Sequence, residues 1–107
     1  MALKPVTVTQ LNEYISRVLG TDPLLSNISV TGEISNLKFH SSGHVYFSMI
    51  DQSSKVNCFL PASCFRNLAY TLGDGLNVTV RGYINVYKNG GAYTLFIREL
   101  EVAGEAD

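Results

Sequence analysis

Leu76-Asn77-Val78-Thr79-Val80-Arg81-Gly82-Tyr83-Ile84-Asn85-Val86-Tyr87 is the stretch that decides the fold. Leu76, Val78, Val80, Ile84 and Val86 take every second position, with Gly82 filling the gap in the series. A period of two belongs to a strand with one face against a core. A glycine inside so long a strand suits the sharp coiling of a small closed barrel. Asn89-Gly90-Gly91 comes next and reads as a hairpin turn, because its glycines supply positive φ. Tyr93, Leu95 and Ile97 carry the alternation into a following strand. Leu100 and Val102 fall on the opposite parity, which predicts a bulge near Arg98-Glu99.

Upstream of this hairpin, Pro61 opens a short helix with Phe65, Leu68, Ala69 and Leu72 as its apolar stripe, and Gly73-Asp74-Gly75 breaks it. Three more alternating runs precede it: Ile28, Val30 and Ile34 with Gly32 between; Val45, Phe47 and Met49; and Val56, Cys58 and Leu60. Asn36 to Gly43 reads as a loop, and Asp51-Gln52-Ser53-Ser54 as a turn. At the start, Leu11, Tyr14, Ile15, Val18 and Leu19 form one helical stripe. Thr7 and Gln10 have capping-box spacing, Val6 and Leu11 could staple the first turn, Gly20 stops the helix and Asp22-Pro23 turns the chain. The order is helix, three strands, short helix, two strands. The expected fold class is all-β dominated: a five-stranded Greek-key barrel of OB-fold type, with an N-terminal helix and a short helix between strands 3 and 4. An open sheet with the same pattern is the alternative.

The length of 107 residues fits one domain, 1–107, with residues 1–20 as its N-terminal helix segment. Hydrophobic residues at 46% and charged residues at 16% exclude a disordered chain. No apolar run approaches the roughly 20 residues of a membrane span. Pro5 and the threonines after it interrupt any signal-peptide core, so no membrane partner and a cytoplasmic location are expected. Cys58 and Cys64 are too few for a secreted disulfide scaffold, and with His40 and His44 they lack zinc-ligand spacing. The net charge of −1 hides an asymmetry. Residues 99–107 hold Glu99, Glu101, Glu105 and Asp107 without a base, and read as an acidic start of a linker. The remaining body carries eight basic and five acidic groups, a net +3, which permits a nucleic-acid face.

No catalytic constellation stands out: the acids are scattered, and no glycine-rich phosphate loop follows a strand. The expected catalytic residues, metal ligands and cofactors in these residues are therefore none, and no nuclease activity is expected of them with any divalent metal. The outward positions are more informative. They place Tyr46 on the second strand, Lys55, Asn57 and Phe59 on the third, and Arg81, Tyr83 and Tyr87 on the fourth, with Lys88 at the hairpin. Lys38, Phe39 and His40 fall in the loop between strands 1 and 2, and His44 at the start of strand 2. Rings that stack on bases beside cations that follow phosphates are what single-strand binding requires. The fold binds oligomers on the strand 2–3 face and between the loops joining strands 1–2 and 4–5. Outward tyrosines also pack across strands without any ligand, and the N-terminal helix has to lay its stripe somewhere, with Tyr83 or Phe59 within its choice.

Several stretches in order resemble one family. They are Val8-Thr9-Gln10-Leu11-Asn12, Gly32-Glu33-Ile34-Ser35-Asn36, Ser42-Gly43-His44-Val45-Tyr46-Phe47, Gly82 through Tyr87, Gly91-Ala92-Tyr93 and Val102-Ala103-Gly104. Together they look like the N-terminal domain of the exodeoxyribonuclease VII large subunit. The resemblance implies a bacterial cytoplasmic hydrolase that degrades single-stranded DNA to oligonucleotides. It implies that this chain is its DNA-binding module, truncated before the catalytic domain. It also implies a small subunit bound through the missing region, and it leaves room for a homo-oligomer. His44 and Tyr46 lie in a motif that matters to that family. Ile50 stands where the family often has a basic residue, so one positive contact is absent. The rival readings are an RNA- or tRNA-binding OB domain and an OB domain used for subunit packing.

Overall fold

A computed structural model describes residues 4–87 and 90–102. In order its elements are helix α1 (Val8–Thr21), helix α2 (Pro23–Ser26), strands β1 (Ile28–Phe39), β2 (Val45–Ile50) and β3 (Lys55–Leu60), helix α3 (Ala62–Arg66), and strands β4 (Asn77–Tyr87) and β5 (Ala92–Val102). The strands close into a barrel in the order β1-β2-β3-β5-β4, with β4 returning to β1. All neighbours are antiparallel except β3 and β5, which run parallel. The expected five-stranded barrel and its two helices are thus present, and closure excludes the open sheet.

The inward series of the alternation makes the core. Ile34, Val45, Leu60, Val78, Val80 and Leu95 are fully buried, with Phe47, Met49, Cys58 and Ile97 nearly so. Gly82 is where β4 coils most tightly onto β5. A Cβ there would sit 1.9 Å from the carbonyl oxygen of Phe96, closer than any side chain could be accommodated. Next to it the register slips: Arg81 pairs with Glu99 but Gly82 with Ile97, so Arg98 is the extra residue of a bulge. This is the bulge that the parity change predicted, and it turns Arg98 and Glu99 both outward.

Burial pushes the Cys58 thiol up to about 12, from an ordinary 9.0. A raised acid pKa means that the folded state holds the proton more tightly, so this contribution is complete below pH 9 and is lost as pH rises towards 12. Thermal melts across that range should therefore show a steeper alkaline loss for the parent chain than for Cys58→Ala. Parallel slopes would contradict the burial.

Several boundaries differ from the sequence reading. β1 does not end before Asn36 but runs to Phe39, because a bulge between Ser35 and Lys38, with Asn36 at φ 58°, absorbs the irregularity. Lys38 and Phe39 are therefore strand residues, and the loop shrinks to His40 through His44. The helix after Pro61 stops at Arg66, and Leu72 reaches the core from beyond it. Asp22-Pro23 does more than turn the chain: the Asp22 carboxylate caps α2 by accepting from the Leu24 and Leu25 N–H groups. Tyr93 shares parity with Leu95 but is 58% exposed. Glu99 and Glu101 lie in β5, so the acidic stretch 99–107 is strand up to Val102, and the rest of it lies outside the described residues.

The capping box of α1 forms as read, with Gln10 N–H donating to Thr7 Oγ1 and Thr7 N–H to Gln10 Oε1. Its stripe, however, stays largely in solvent: Leu11, Tyr14, Ile15 and Val18 are all exposed, and so is Val6, the proposed staple partner. The helix touches β4 through the hydrogen bond from Ser16 Oγ to Asn85 Oδ1, at 2.6 Å. Among the described residues no helix is long and apolar enough to cross a membrane.

Candidate nucleic-acid interface

Strand register arranges the outward side chains in two rows across four strands. Tyr46 pairs with Phe59, Phe59 with Phe96 and Phe96 with Tyr83. Two residues along each strand, Ser48 pairs with Asn57, Asn57 with Thr94 and Thr94 with Asn85. One row is aromatic and the other carries hydroxyls and amides, about 7 Å apart along the strands. The aromatic row is continuous: ring centroids lie 5.3 Å apart for Tyr46–Phe59, 5.6 Å for Phe59–Phe96 and 5.2 Å for Phe96–Tyr83.

Tyr87 at the end of β4, with Gly90 and Ala92, flanks these rows. Gly90 and Gly91 both donate to the Tyr87 carbonyl, at 3.1 and 2.8 Å. The Tyr87 hydroxyl lies 3.3 Å from that of Tyr46. This bond, followed by burial, raises the Tyr46 phenol above its ordinary value. Here lies a groove of about 360 Å³, lined by Tyr46, Phe59 and Tyr87, by Ser48, Asn57 and Thr94, and by Asn36 and Lys38 from β1. It occupies the strand 2–3 face between the β1–β2 and β4–β5 connections, where this barrel type receives oligomers.

Of the residues read from the sequence, Lys38, Tyr46, Asn57, Phe59 and Tyr87 meet in this groove. His40 stacks on Tyr46 at 6.0 Å on its rim. His44 sits beside Phe59, outside the lining of the groove. Its Nδ1 accepts the Ala62 N–H at 2.9 Å, and its ring lies 5.0 Å from that of Phe59. Four expected residues do not meet there. Phe39 turns away to pack on Phe65, at 5.7 Å. Lys55 pairs with Ile50 at the far end of β3, four residues and about 13 Å from Phe59. Arg81 is held by Glu99 in an exposed ion pair and by Asn27 Oδ1. Tyr83 lies flat on Phe96 with the Arg98 guanidinium 4.6 Å from its ring centroid. Lys88 lies outside the described residues.

Phe96, Thr94 and Arg98 were missed. Phe96 and Thr94 have outward parity between Leu95 and its neighbours, so the alternation could have found them. Among the described residues, no group of three or more His, Cys, Asp or Glu is placed to hold a metal ion.

The family of OB-fold nucleic acid binding domains matches residues 6–101. The chain belongs to this family. As an OB-fold domain it is 49% identical over 105 residues to the exodeoxyribonuclease 7 large subunit of Clostridioides difficile (strain 630), covering 97% of this chain and 26% of that protein. It is 45% identical over 107 residues to the same subunit of Clostridium botulinum (strain Loch Maree / Type A3), covering all of this chain and 27% of that one. The OB-fold domain thus spans about a quarter of the length of the curated relatives it matches, and the resemblance read from its motifs holds along the whole chain. A solved structure of asparaginyl-tRNA synthetase from Pyrococcus horikoshii, complexed with asparaginyl-adenylate, superposes with a TM-score of 0.60 at 17% identity. It covers 74% of this chain and 20% of the synthetase, and shows the shared fold alone.

Proposed function

We propose that this OB-fold domain is the single-stranded DNA-binding module of an exodeoxyribonuclease VII large subunit, a cytoplasmic nuclease that degrades single-stranded DNA to oligonucleotides. The observation that carries the reading is the groove walled by Tyr46, Phe59 and Tyr87. Such rings offer π-faces to unpaired bases, which a duplex keeps stacked on one another. Lys38 beside them supplies a cation for the phosphates. The domain would hold substrate for chemistry performed elsewhere in the enzyme, and the small subunit would engage regions other than these residues.

Titration of oligo-dT, oligo-U and a DNA duplex into the domain tests this reading. Binding should be weak, favour the single strand over the duplex and favour DNA over RNA. With about 2–4 phosphates neutralised, the log–log salt slope should lie at about −1.5 to −3. Tighter binding of oligo-U would favour an RNA-binding domain that uses the 2′-OH. A mass that rises with concentration, with no DNA binding, would favour subunit packing. A slope steeper than about −5 would place the electrostatic face elsewhere.

A further inference from the structure

The aromatic row does not stop at the groove. From Phe59 it continues over Phe96 to Tyr83, and ends at Arg98 on the far side of the barrel. The rings of Phe59, Phe96 and Tyr83 are half-buried, and Tyr83 is stacked on Phe96 with the Arg98 guanidinium over its ring. Arg98 owes its place to the β5 bulge, which sets it beside Tyr83 and not in strict alternation with Glu99. Its guanidinium lies over the Tyr83 ring, steadied by one donor, Nη1 to the Ser26 carbonyl at 3.3 Å. Guanidinium has five N–H donors, so most of its fork remains for an anion. The neighbouring cation is already spent: Arg81 is paired with Glu99, which leaves Arg98 as the exposed arginine at this end of the row. On the β4 side, the bond from Ser16 of α1 to Asn85 closes the polar row beneath the helix.

We propose that Phe96, Tyr83 and Arg98 form a second nucleic-acid subsite, in which single-stranded DNA leaving the groove crosses β5 and β4 along the aromatic row and delivers a phosphate to Arg98. This rests on the reading of the groove as a DNA site. The ring-to-ring path and the charge at its end favour a polyanion with flat groups, and continuity with the groove makes it the same strand. Arg98 acts as a point of attachment, so its effect depends on oligomer length.

Affinities of oligo-dT of about 4 and about 12 nucleotides, bracketing the site sizes of a single OB fold, test this. The parent chain should bind the longer oligomer more tightly. In Arg98→Gln that advantage should shrink by about fivefold at 0.1 M salt, and the salt slope for the longer oligomer should fall by about 0.7, the value for one phosphate on a single strand. Arg98→Lys should recover part of both. Tyr46→Ala, in the groove, should instead weaken both lengths. A circular-dichroism melt of Arg98→Gln separates loss of contact from loss of fold. If a folded Arg98→Gln keeps the full length advantage and the full slope, the second subsite is overturned while the groove stands. If the parent chain binds neither oligomer, the functional reading falls and this subsite with it.

Discussion

Phe47→Ala is expected to lower stability by about 3–5 kcal/mol, as for a buried phenylalanine truncated in a core that relaxes only in part. Phe47 lies on β2 with 4% of its surface exposed, among the buried side chains that fill the barrel. A small domain has only about 5–15 kcal/mol in total, so this single change removes a large share. The melting temperature should fall by at least about 12 °C, at about 4 °C or more for each kcal/mol in a domain of this size. DNA affinity of the fraction that stays folded should change little, because the side chain points to the core. Urea unfolding monitored by circular dichroism measures the first part. A stability loss below about 1 kcal/mol would mean that β2 presents its other face inwards.

Tyr46→Ala should do the reverse. Its ring is one residue away on the same strand, yet it faces the groove and meets Phe59, His40 and Tyr87. Loss of a stacking ring should weaken single-stranded DNA binding by about 1–3 kcal/mol, or roughly 5- to 150-fold. Folding will not be untouched, because the ring is half-buried within a cluster and its hydroxyl meets that of Tyr87. Each aromatic pair contributes about 0.5–1.5 kcal/mol, so the stability loss should stay well below that of Phe47→Ala. Fluorescence anisotropy with labelled oligo-dT, beside the same urea series, gives both numbers. If Tyr46→Ala unfolds the domain and Phe47→Ala leaves it stable, the strand faces are assigned backwards and the groove is not a binding site.

The barrel was legible because its signals are local and repeated. Each inward series, such as Val45-Phe47-Met49 or Val78-Val80, records burial on one face at a period of two. The Arg98 bulge was legible for the same reason, since one extra residue flips every later side chain. What alternation cannot state is the partner of an outward residue. Tyr83 and Arg81 share parity with Tyr87, but their occupation by Phe96 and Glu99 depends on β5, whose register is fixed by the bulge. Lys55 has the parity of Phe59, but distance along the strand removes it from the groove. The extent of β1 was hidden by Asn36, whose left-handed backbone looks like a turn in sequence and acts as a bulge in the sheet. The stripe of α1 is plain in sequence, but periodicity tells which face is apolar and not what covers it.

The most direct measurement of the central claim is a ¹⁵N-labelled titration of the domain with short oligo-dT, following each backbone amide. The account predicts that shifts gather at Lys38, Tyr46, Asn57, Phe59 and Thr94 around the groove and extend to Phe96 and Arg98, with Lys55 and the exposed face of α1 unmoved. Shifts confined to α1 and the β2–β3 turn, with the groove silent at saturation, would contradict it.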